Sequence, residues 1–448
     1  MRDESLLIIN GVVVTLGECG RLIKDGAVLI RAGIIDAVGR RETVEKNADG
    51  VKILDARGGI IMPGFINTHT HLYSTFARGL SPKPPPPGNL LETLKHLWWP
   101  LDETLNHEDI YHSARSALVD CIQQGVTALI DHHESQFCPS GSLDILERAL
   151  RETGVRGCLC YGVSDRCGTG DEGVAENARF LRKCSERDDD FVMGAAGLHA
   201  LFTMQPRTLD AVVEVATSFD AGLHLHLAEG RIDQVVSRKR YGVSVTHRLR
   251  NVGGLYGKTL AAHGVHIQRA EMKMLATSGV CVTHNPRSNM GNGVGALRVG
   301  DMLERGIVVG LGSDALSADM RTEALSAYLL HSHNRRSPSG FMDTAVQLLL
   351  RNNAIIASRF FKRPLGVIKK GAHGDVAVLG YNPPTEMNLG NFAGHFLFGI
   401  SDAPVLATVV AGRVLMEGGI VRSVDAVDVK NAARKQFSGF RRRFERHL

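Results

Sequence analysis

Short apolar runs alternate with amphipathic segments through the middle of the chain. The runs have the length of buried strands, and the segments between them, such as HEDIYHSARSALVDCIQQG, carry apolar residues at helical spacing. Eight such units would close into a parallel (β/α)8 barrel, the TIM-barrel fold, which is the α/β fold class predicted here. The runs, in order, are GIIMPGFINTHTH, VTALIDHH, RGCLCYGVS, FVMGAAGLH, AGLHLHLAE, KTLAAH, GVCVTHN and GIVVGLGSD.

Both ends of the chain show a different pattern. The start reads as short strands separated by Gly and Asp turns, and the same pattern returns late in the chain. The simplest arrangement is a small β-sandwich domain built jointly from residues 1–60 and 366–425. The barrel, residues 61–365, is then inserted between the two parts, and residues 426–448 are predicted to form a C-terminal helix.

Composition narrows the class of protein. The 44% hydrophobic and 22% charged content among 448 residues is typical of a globular protein with a large core. The eight cysteines include no CxxC pair, so we expect reduced thiols. The start, MRDESLLIINGVVV, lacks a cleavage site for export, and no apolar stretch reaches the roughly 18 residues of a membrane span. We therefore expect a cytoplasmic protein with no membrane partner.

The net charge of +5 lies largely in the tail KQFSGFRRRFERHL. Nucleic-acid binding is one interpretation of this tail. However, Phe437, Phe440 and Phe444 fall at helical spacing, which favours a helix docked by its aromatic edge with its arginines in solvent. We expect no nucleic-acid partner, and a homodimer is expected only because enzymes commonly pair.

Acidic residues and histidines mark the ends of the predicted strands. Seven of the eight runs end at or beside His, Asp or Glu, and in a closed barrel these ends converge on one rim. His69 and His71 share one face of the first strand because side chains alternate. His226 from the fifth run and Asp314 from the eighth complete a set of three imidazoles and a carboxylate. This set suits one divalent ion, zinc or ferrous iron, with a position left for water.

Two further residues fit hydrolysis at such an ion. Glu229 lies three residues beyond His226, where it could take a proton from an activated water and pass it to a leaving group. His263, which ends the sixth run, could orient the same water together with Asp314. The pattern therefore predicts a metal-dependent hydrolase.

The stretches PGFINTHTH, HLHLAE, LAAHGVH, HNPRSN and GLGSD together resemble the amidohydrolase superfamily. The resemblance is to its mononuclear branch of aminohydrolases and chlorohydrolases, which includes guanine deaminase, adenosylhomocysteine deaminase and the triazine hydrolases. It extends over nearly the whole chain, since both ends resemble that branch's split β-sandwich. The stretches LSPKPPPPGNLLETLKHLWWP and DHHES most resemble the aminohydrolase group SsnA within it.

This resemblance implies roles for individual residues. It places a substrate contact at His199, although the tyrosine that often follows nearby is Phe202 here. Binuclear relatives bridge two metals with a lysine at the end of strand four, and FVMGAAGLH has none, which favours a single ion. The resemblance implies metal ligands at His69, His71, His226 and Asp314, a proton-shuttling Glu229 and a water-orienting His263.

Other polar residues near the rim have alternative interpretations. His133, His284 and Asn289 are predicted to contact substrate, and a structural hydrogen bond is the alternative for the first. His224 shares a face with His226 but is expected one layer deeper, in the core. His331 and His333 repeat the HxH spacing within a helical pattern, so they are expected on an outer helix.

The proline-rich SPKPPPPGN, with Trp98 and Trp99 behind it, follows the first strand directly. Proline-rich sequence alone would suggest a peptide ligand for another domain. At a barrel rim we expect a wall or lid over a flat substrate, or a surface towards a second subunit; a packed crossover without substrate contact is the alternative.

The expected function is metal-dependent hydrolysis of a carbon–nitrogen bond other than a peptide bond. We expect deamination of an amino-substituted purine, pyrimidine or related heterocycle. The alternatives are hydrolysis of a cyclic amide or a ring-opened purine derivative at the same ion, and a noncatalytic barrel. The last alternative is weakened because the chain has every expected ligand. The substrate and the choice between zinc and iron stay open.

Overall fold

The computed structural model describes residues 5–17, 20–315, 317–338 and 340–447. The first four residues, Cys19 and Leu448 lie outside these ranges. The expectations about the charged start of the chain, the Cys19 thiol and the last helical residue therefore remain predictions. The cysteines within the described ranges are all free thiols.

The strands fall into two groups along the chain, one at the ends and one in the middle. In order they are β1 (Leu6–Val14), β2 (Leu22–Arg31), β3 (Ile34–Arg40), β4 (Lys52–Asp55), β5 (Ile60–Pro63), β6 (Phe65–Thr70), β7 (Val126–His133), β8 (Arg156–Val163), β9 (Val192–Ala200), β10 (Gly222–Leu227), β11 (Thr259–His263), β12 (Cys281–His284), β13 (Val309–Leu311), β14 (Val376–Leu379), β15 (Val405–Val410), β16 (Arg413–Glu417) and β17 (Ile420–Val421).

The helices lie mainly between the strands of the middle group. They are α1 (Arg41–Val44), α2 (Leu90–Thr93), α3 (Trp99–Thr104), α4 (His107–Gln123), α5 (Ser142–Thr153), α6 (Gly170–Ser185), α7 (Pro206–Ser218), α8 (Arg231–Tyr241), α9 (Val245–Asn251), α10 (Arg269–Thr277), α11 (Pro286–Gly291), α12 (Val299–Leu303), α13 (Met320–Arg335), α14 (Met342–Gln347), α15 (Asn353–Ala357), α16 (Phe392–Phe398) and α17 (Ala426–His447).

The middle strands, β6 to β13, form one parallel eight-stranded sheet in sequence order. The sheet closes where the ends of the first and last strands meet. There the backbone N–H groups of Ser313 and Asp314 donate to the carbonyl of His69 at 3.1 and 3.0 Å, and Thr70 pairs with Asp314 in a parallel bridge. The predicted (β/α)8 barrel is confirmed, and all eight predicted runs contain a barrel strand.

The barrel strands are buried on both faces, because helices cover the outside and side chains fill the inside. This explains why they appear in the sequence as continuous apolar runs rather than as alternating patterns. The first run contains two strands, β5 and β6, separated by Gly64. A Cβ at Gly64 would lie only 2.2 Å from the side chain of Thr127, so glycine is required where the chain enters the barrel.

The strands from both chain ends form a second, nine-stranded mixed sheet. Its order is β17-β16-β15-β14-β5-β1-β2-β3, with β4 paired to β1. Residues from distant strands, such as Ile30 of β2 and Val409 of β15, belong to one apolar cluster. The small domain is therefore built jointly from the two ends, as expected. Strand β5, on the barrel side of the predicted boundary, pairs in this sheet, and α16 packs on the barrel helices α13 and α14.

A buried ion pair joins the two sheets. Arg156, at the start of β8, donates from Nε to the Asp375 carboxylate at 2.9 Å, and both side chains are 2% exposed. The second carboxylate oxygen of Asp375 accepts from the backbone N–H of Ala411 at 2.8 Å. His373 lies 3.2 Å from the same guanidinium. Because every charge here has a partner, the pair can be buried without a large net cost.

Replacing Asp375 by Asn is expected to lower the free energy of unfolding by about 3 kcal/mol, since it removes the nearer carboxylate from the buried guanidinium of Arg156 and leaves only Asp190, at 3.7 Å. Urea denaturation followed by circular dichroism measures the change. The matched control is Glu386→Gln, which breaks a 3.2 Å pair with Lys24 whose side chains are 79% and 76% exposed. That control should change stability by less than about 0.5 kcal/mol. Equal shifts in the two variants would contradict the assignment.

The C-terminal helix α17 packs on α4 through its aromatic edge, as predicted. Phe440 and Phe444 are buried, and the Phe440 ring lies 5.4 Å from the Phe76 ring. The expectation that its arginines all point to solvent is wrong for Arg443, which is paired with the buried carboxylate of Asp109. Among the described residues, no helix is both long enough and apolar enough to cross a membrane.

Candidate active site

Four side chains from three strand ends converge at the rim of the barrel. His69 lies on β6 and His71 follows that strand, His226 lies on β10, and Asp314 follows β13. The backbone of Asp314 has a φ of 56°, a left-handed conformation that Asp tolerates better than most residues. Because the last strand ends in this turn, the carboxylate of Asp314 faces the imidazoles of the first strand.

The distances between these groups are those of atoms around a common centre. Asp314 Oδ1 lies 3.1 Å from His71 Nε2 and 3.6 Å from His69 Nε2. The Nε2 atoms of His71 and His226 lie 3.2 Å apart. His69, His71 and Asp314 have ligand atoms within 4.8 Å of one another, and so do His69, His226 and His263.

The other ring nitrogens of the three histidines fix their orientation. Nδ1 of His71 donates to the carbonyl of His132 at 2.6 Å, and Nδ1 of His226 donates to the carbonyl of His199 at 2.8 Å. Since a carbonyl can only accept, each neutral ring carries its lone pair on Nε2. When both rings are neutral, two lone pairs face each other across 3.2 Å, and a proton on His71 or a shared cation stabilises this arrangement.

The third imidazole, that of His69, is positioned by His224, a residue that the sequence predicted only as part of the barrel core. His69 Nδ1 lies 2.9 Å from His224 Nε2, and His224 Nδ1 lies 3.7 Å from Cys160 Sγ. His69 Nε2 is buried and has no hydrogen-bond partner within the part of the chain that the structure describes. His224 is one layer deeper than His226, as expected, but it also positions His69.

The electrostatics of the cluster favour a positive charge. Burial lowers the pKa of His69 to about 3, so its ring is neutral at pH 7, the form that binds metals. Burial also opposes protonation of His71, but the Asp314 carboxylate outweighs it and raises the pKa of His71 to about 9. Three imidazole nitrogens and a carboxylate oxygen with these orientations fit one divalent metal ion.

Glu229 and His263 lie beside this cluster. His263 Nε2 is 3.7 Å from both the Glu229 and the Asp314 carboxylates, and it is buried without a hydrogen-bond partner among the described residues. Asn292 donates to Glu229 at 3.1 Å, and Ser288 donates to Asp314 at 2.5 Å. Burial raises the pKa of Glu229 against the opposing effect of His263. A carboxyl group with a raised pKa can both accept and return a proton near neutral pH.

A cavity of about 390 Å³ opens onto these groups. Its apolar wall comes from the helical segment Leu90–Thr104, which contributes Leu94, Leu97, Trp98 and Trp99. The segment behind the proline-rich stretch thus faces the cavity, as the wall hypothesis expects. A cavity of this size, with a flat apolar wall and a few polar groups, suits a small heterocyclic molecule.

Residues 60–415 match the model of a known protein family, described as Amidohydrolase family. The chain belongs to the amidohydrolase family. It is 31% identical over 422 residues to a 5-methylthioadenosine/S-adenosylhomocysteine deaminase of Thermococcus sibiricus, covering 92% of this chain and 94% of that protein. It is 29% identical over 436 residues to a 5'-deoxyadenosine deaminase of Methanosarcina mazei, covering 96% and 97%.

Solved structures show the same fold. An adenosine deaminase from Xanthomonas campestris with bound zinc superimposes with a TM-score of 0.86 at 22% identity, over 97% of this chain and 98% of that one. A guanine deaminase of E. coli gives a TM-score of 0.78 at 18% identity, over 93% and 99%.

Of the four residues predicted to contact substrate in this amidohydrolase, only His199 lines the cavity. His133, His284 and Asn289 are buried outside its lining. His133 Nε2 lies 3.0 Å from Ser135 Oγ. Asn289 Oδ1 accepts from His263 Nδ1 at 2.9 Å, so it orients that imidazole.

His284 lies against His331, a residue of an outer helix. Its Nε2 lies 3.3 Å from Nε2 of His331 on α13. His331 is therefore on an outer helix, as expected, but it is buried against a barrel strand rather than exposed. His333, two residues on, is exposed.

Several polar lining residues were not found from the sequence. Glu134 directly follows the histidine pair of DHHES, so its position at a strand end was the only available signal. The others lie on helices or on loops, where no strand pattern shows which way a side chain points. These additional residues are Asp102, Glu134, Asp233, Arg287, Asn292 and Glu323.

Proposed function

We propose that the protein is a metal-dependent aminohydrolase that deaminates an amino-substituted purine, pyrimidine or related heterocycle. The observation that carries this proposal is the buried cluster of His69, His71, His226 and Asp314, whose ligand atoms fall into overlapping groups that could hold a metal ion, with Glu229 beside it and a cavity that opens onto it. Hydrolysis of a carbon–nitrogen bond needs an activated water and a group that moves protons, and this arrangement can supply both.

His69, His71, His226 and Asp314 would hold the ion in this proposal, and zinc is the metal proposed. Nitrogen and carboxylate ligands in this number suit zinc, and the adenosine deaminase of the same fold contains it. When bound, the ion would polarise a water molecule and bring its pKa from near 16 to about 7.

The protein's own residues would then carry out the proton transfers. Glu229 takes a proton from the attacking water and delivers it to a ring nitrogen of the substrate, and it then takes the second proton from the added hydroxyl and delivers that one to the departing amine. His263, held by Asn289, and Asp314, held by Ser288, keep that water aligned with the carbon to be attacked. The apolar wall around Trp98 and Trp99 excludes other water from the site. The products are ammonia and the corresponding oxo compound.

The reaction type can be tested by screening aminopurines, aminopyrimidines and cyclic amides with zinc-loaded protein. We expect one ammonia released per substrate consumed, and loss of that activity after the metal is removed with a chelator. Coupled detection of ammonia measures the first result, and zinc added back should restore it. Ring opening without ammonia would favour the cyclic-amide alternative instead. The relatives described above are named for adenosine-type substrates, which belong in the same screen.

A further inference from the structure

The cavity has a second polar end, formed by carboxylates that take no part in the proton transfers proposed above. Glu134 follows β7, lines the cavity and is only 2% exposed. The nearest nitrogens to its carboxylate are His132 Nδ1 at 3.5 Å and, at 3.8 Å each, His199 Nε2 and Arg166 Nη2. All three distances exceed the roughly 2.7–2.9 Å of a charge-assisted hydrogen bond.

The two histidines beside Glu134 direct lone pairs towards it in their neutral forms. His132 Nε2 donates to the carbonyl of Leu198 at 3.0 Å, which leaves Nδ1 without a proton. The hydroxyl of Thr203 donates to a backbone carbonyl and so accepts from His199 Nδ1, which leaves Nε2 without a proton. Two acceptors therefore face a third acceptor, the Glu134 carboxylate. Among the described residues, no donor lies within about 3.2 Å of the Glu134 carboxylate, which can therefore accept a hydrogen bond from a bound molecule.

Asp102 of α3 is a second carboxylate at this end of the cavity, beside Glu134. Its Oδ2 accepts from Arg166 Nη2 at 2.6 Å, while its Oδ1 is buried without a partner among the described residues. Arg166 is also bound to Glu103 at 3.1 Å, and its guanidinium lies 4.6 Å from the ring centre of Trp99. Arg166 does not line the cavity, whereas Asp102 does. The cation thus neutralises part of the carboxylate charge from outside the cavity lining.

Three of the other lining carboxylates have polar partners nearby, although Oε1 of Glu323 accepts no hydrogen bond among the described residues. Asp233 accepts from two backbone N–H groups, Glu323 lies 3.5 Å from Arg287, and Glu229 accepts from Asn292. Arg287 is the only Arg or Lys among the described lining residues. A phosphate-bearing substrate would therefore meet mainly carboxylates, so the cavity selects for neutral or cationic molecules. The six lining carboxylates are Asp102, Glu134, Glu229, Asp233, Asp314 and Glu323.

Glu134 lies close to the reacting centre and across the barrel from Glu229. Its carboxylate is within 4.8 Å of the ligand nitrogens of His71 and His226. It follows the second strand of the barrel, whereas Glu229 lies 3.7 Å from His263 on the sixth. A ring placed with its reacting carbon at the metal would present one neighbouring atom to Glu229 and the opposite one to Glu134.

We propose that Glu134, supported by Asp102, accepts a hydrogen bond from a ring N–H that flanks the carbon under attack. Building on the proposed deamination, this makes the substrate a 2-amino-4-oxopyrimidine or a fused ring with that edge, the class that includes isocytosine and guanine. On that edge of the ring, the carbon that carries the amino group lies between two nitrogens. One is unprotonated and takes a proton from Glu229, and the other is an N–H group that donates a hydrogen bond to Glu134. Adenine-type rings have no N–H beside the reacting carbon.

The test compares four probes with the zinc-loaded full-length protein: guanine, isocytosine, adenine and adenosine. Ammonia release should give a kcat/KM at least about 100-fold higher for guanine or isocytosine than for the adenine pair, because a buried acceptor without its donor is costly. Equal or faster release from adenine or adenosine overturns the inference, and so does the absence of release from both guanine and isocytosine. Release from adenine or adenosine alone would still support the proposed deamination.

The matching variant is Glu134→Gln, which keeps the shape of the side chain but places an amide where the carboxylate accepts. It should retain zinc and its thermal melting temperature and lose about 100-fold or more of kcat/KM with guanine. The control is Glu108→Gln, a substitution of the same kind at a side chain that is 68% exposed on α4. Undiminished activity of Glu134→Gln on guanine overturns the role of Glu134, and so does an equal loss in both variants.

Discussion

Replacing Glu229 by Gln is expected to lower kcat by about 10²–10⁴-fold while the protein retains its metal. The glutamine fills the same space and can still be held by Asn292, which donates to Glu229 at 3.1 Å. It cannot accept a proton from water or return one to a leaving amine, and general acid–base groups typically contribute this much to the rate. Steady-state ammonia release and metal analysis of the same preparation measure the two quantities.

The control for Glu229 is Glu214→Gln, an exposed glutamate on α7, which should leave kcat unchanged. Since Glu229 is proposed to act on protons and not on substrate affinity, KM should change much less than kcat. Near-normal turnover in Glu229→Gln would remove this residue from the mechanism. Loss of metal in that variant would instead indicate a structural role.

The second large effect is expected from the double substitution His69→Ala and His71→Ala. It removes two of the four proposed ligands, both fully or nearly fully buried, and leaves only His226 and Asp314. Two ligands do not hold a divalent ion against buffer and dilution, so zinc per chain should fall from about one to below about 0.1 after dialysis. Plasma emission spectrometry of the dialysed protein gives this ratio.

Removal of two imidazoles elsewhere controls for general effects. The double variant His107→Ala and His333→Ala alters two exposed histidines and should retain full metal content. Circular dichroism should show that both double variants keep the barrel. Stoichiometric zinc in the His69/His71 variant would contradict the ligand assignment directly.

The sequence was sufficient to predict the barrel and the proposed ligand residues that meet at its rim. Buried strands give continuous apolar runs, and parallel strands must place their carboxyl ends together, so His69, His226 and Asp314 could be brought together without any structure. The family resemblance then implied the same roles for Glu229 and His263 that their positions at the strand ends had suggested. The group-level resemblance to SsnA stays a prediction.

Side-chain depth was less predictable than strand order. Alternation identifies the face of a strand but not the layer, so it could not show that His224 supports His69 or that His284 lies behind the cavity against His331. Glu134 and Asp102 depend on how a loop and a helix close over the rim. Their orientation comes from packing around Arg166, which no local pattern encodes.

The turn at Asp314 serves two purposes at once. Its carboxylate belongs to the ligand cluster, while its backbone N–H closes the barrel by donating to His69, itself a proposed ligand. An ion coordinated by both residues would join the first strand of the barrel to the last strand, at the seam where no covalent connection crosses. Metal uptake and closure of the seam are therefore thermodynamically linked: the ion stabilises the closed seam by the same free energy by which closure strengthens its binding.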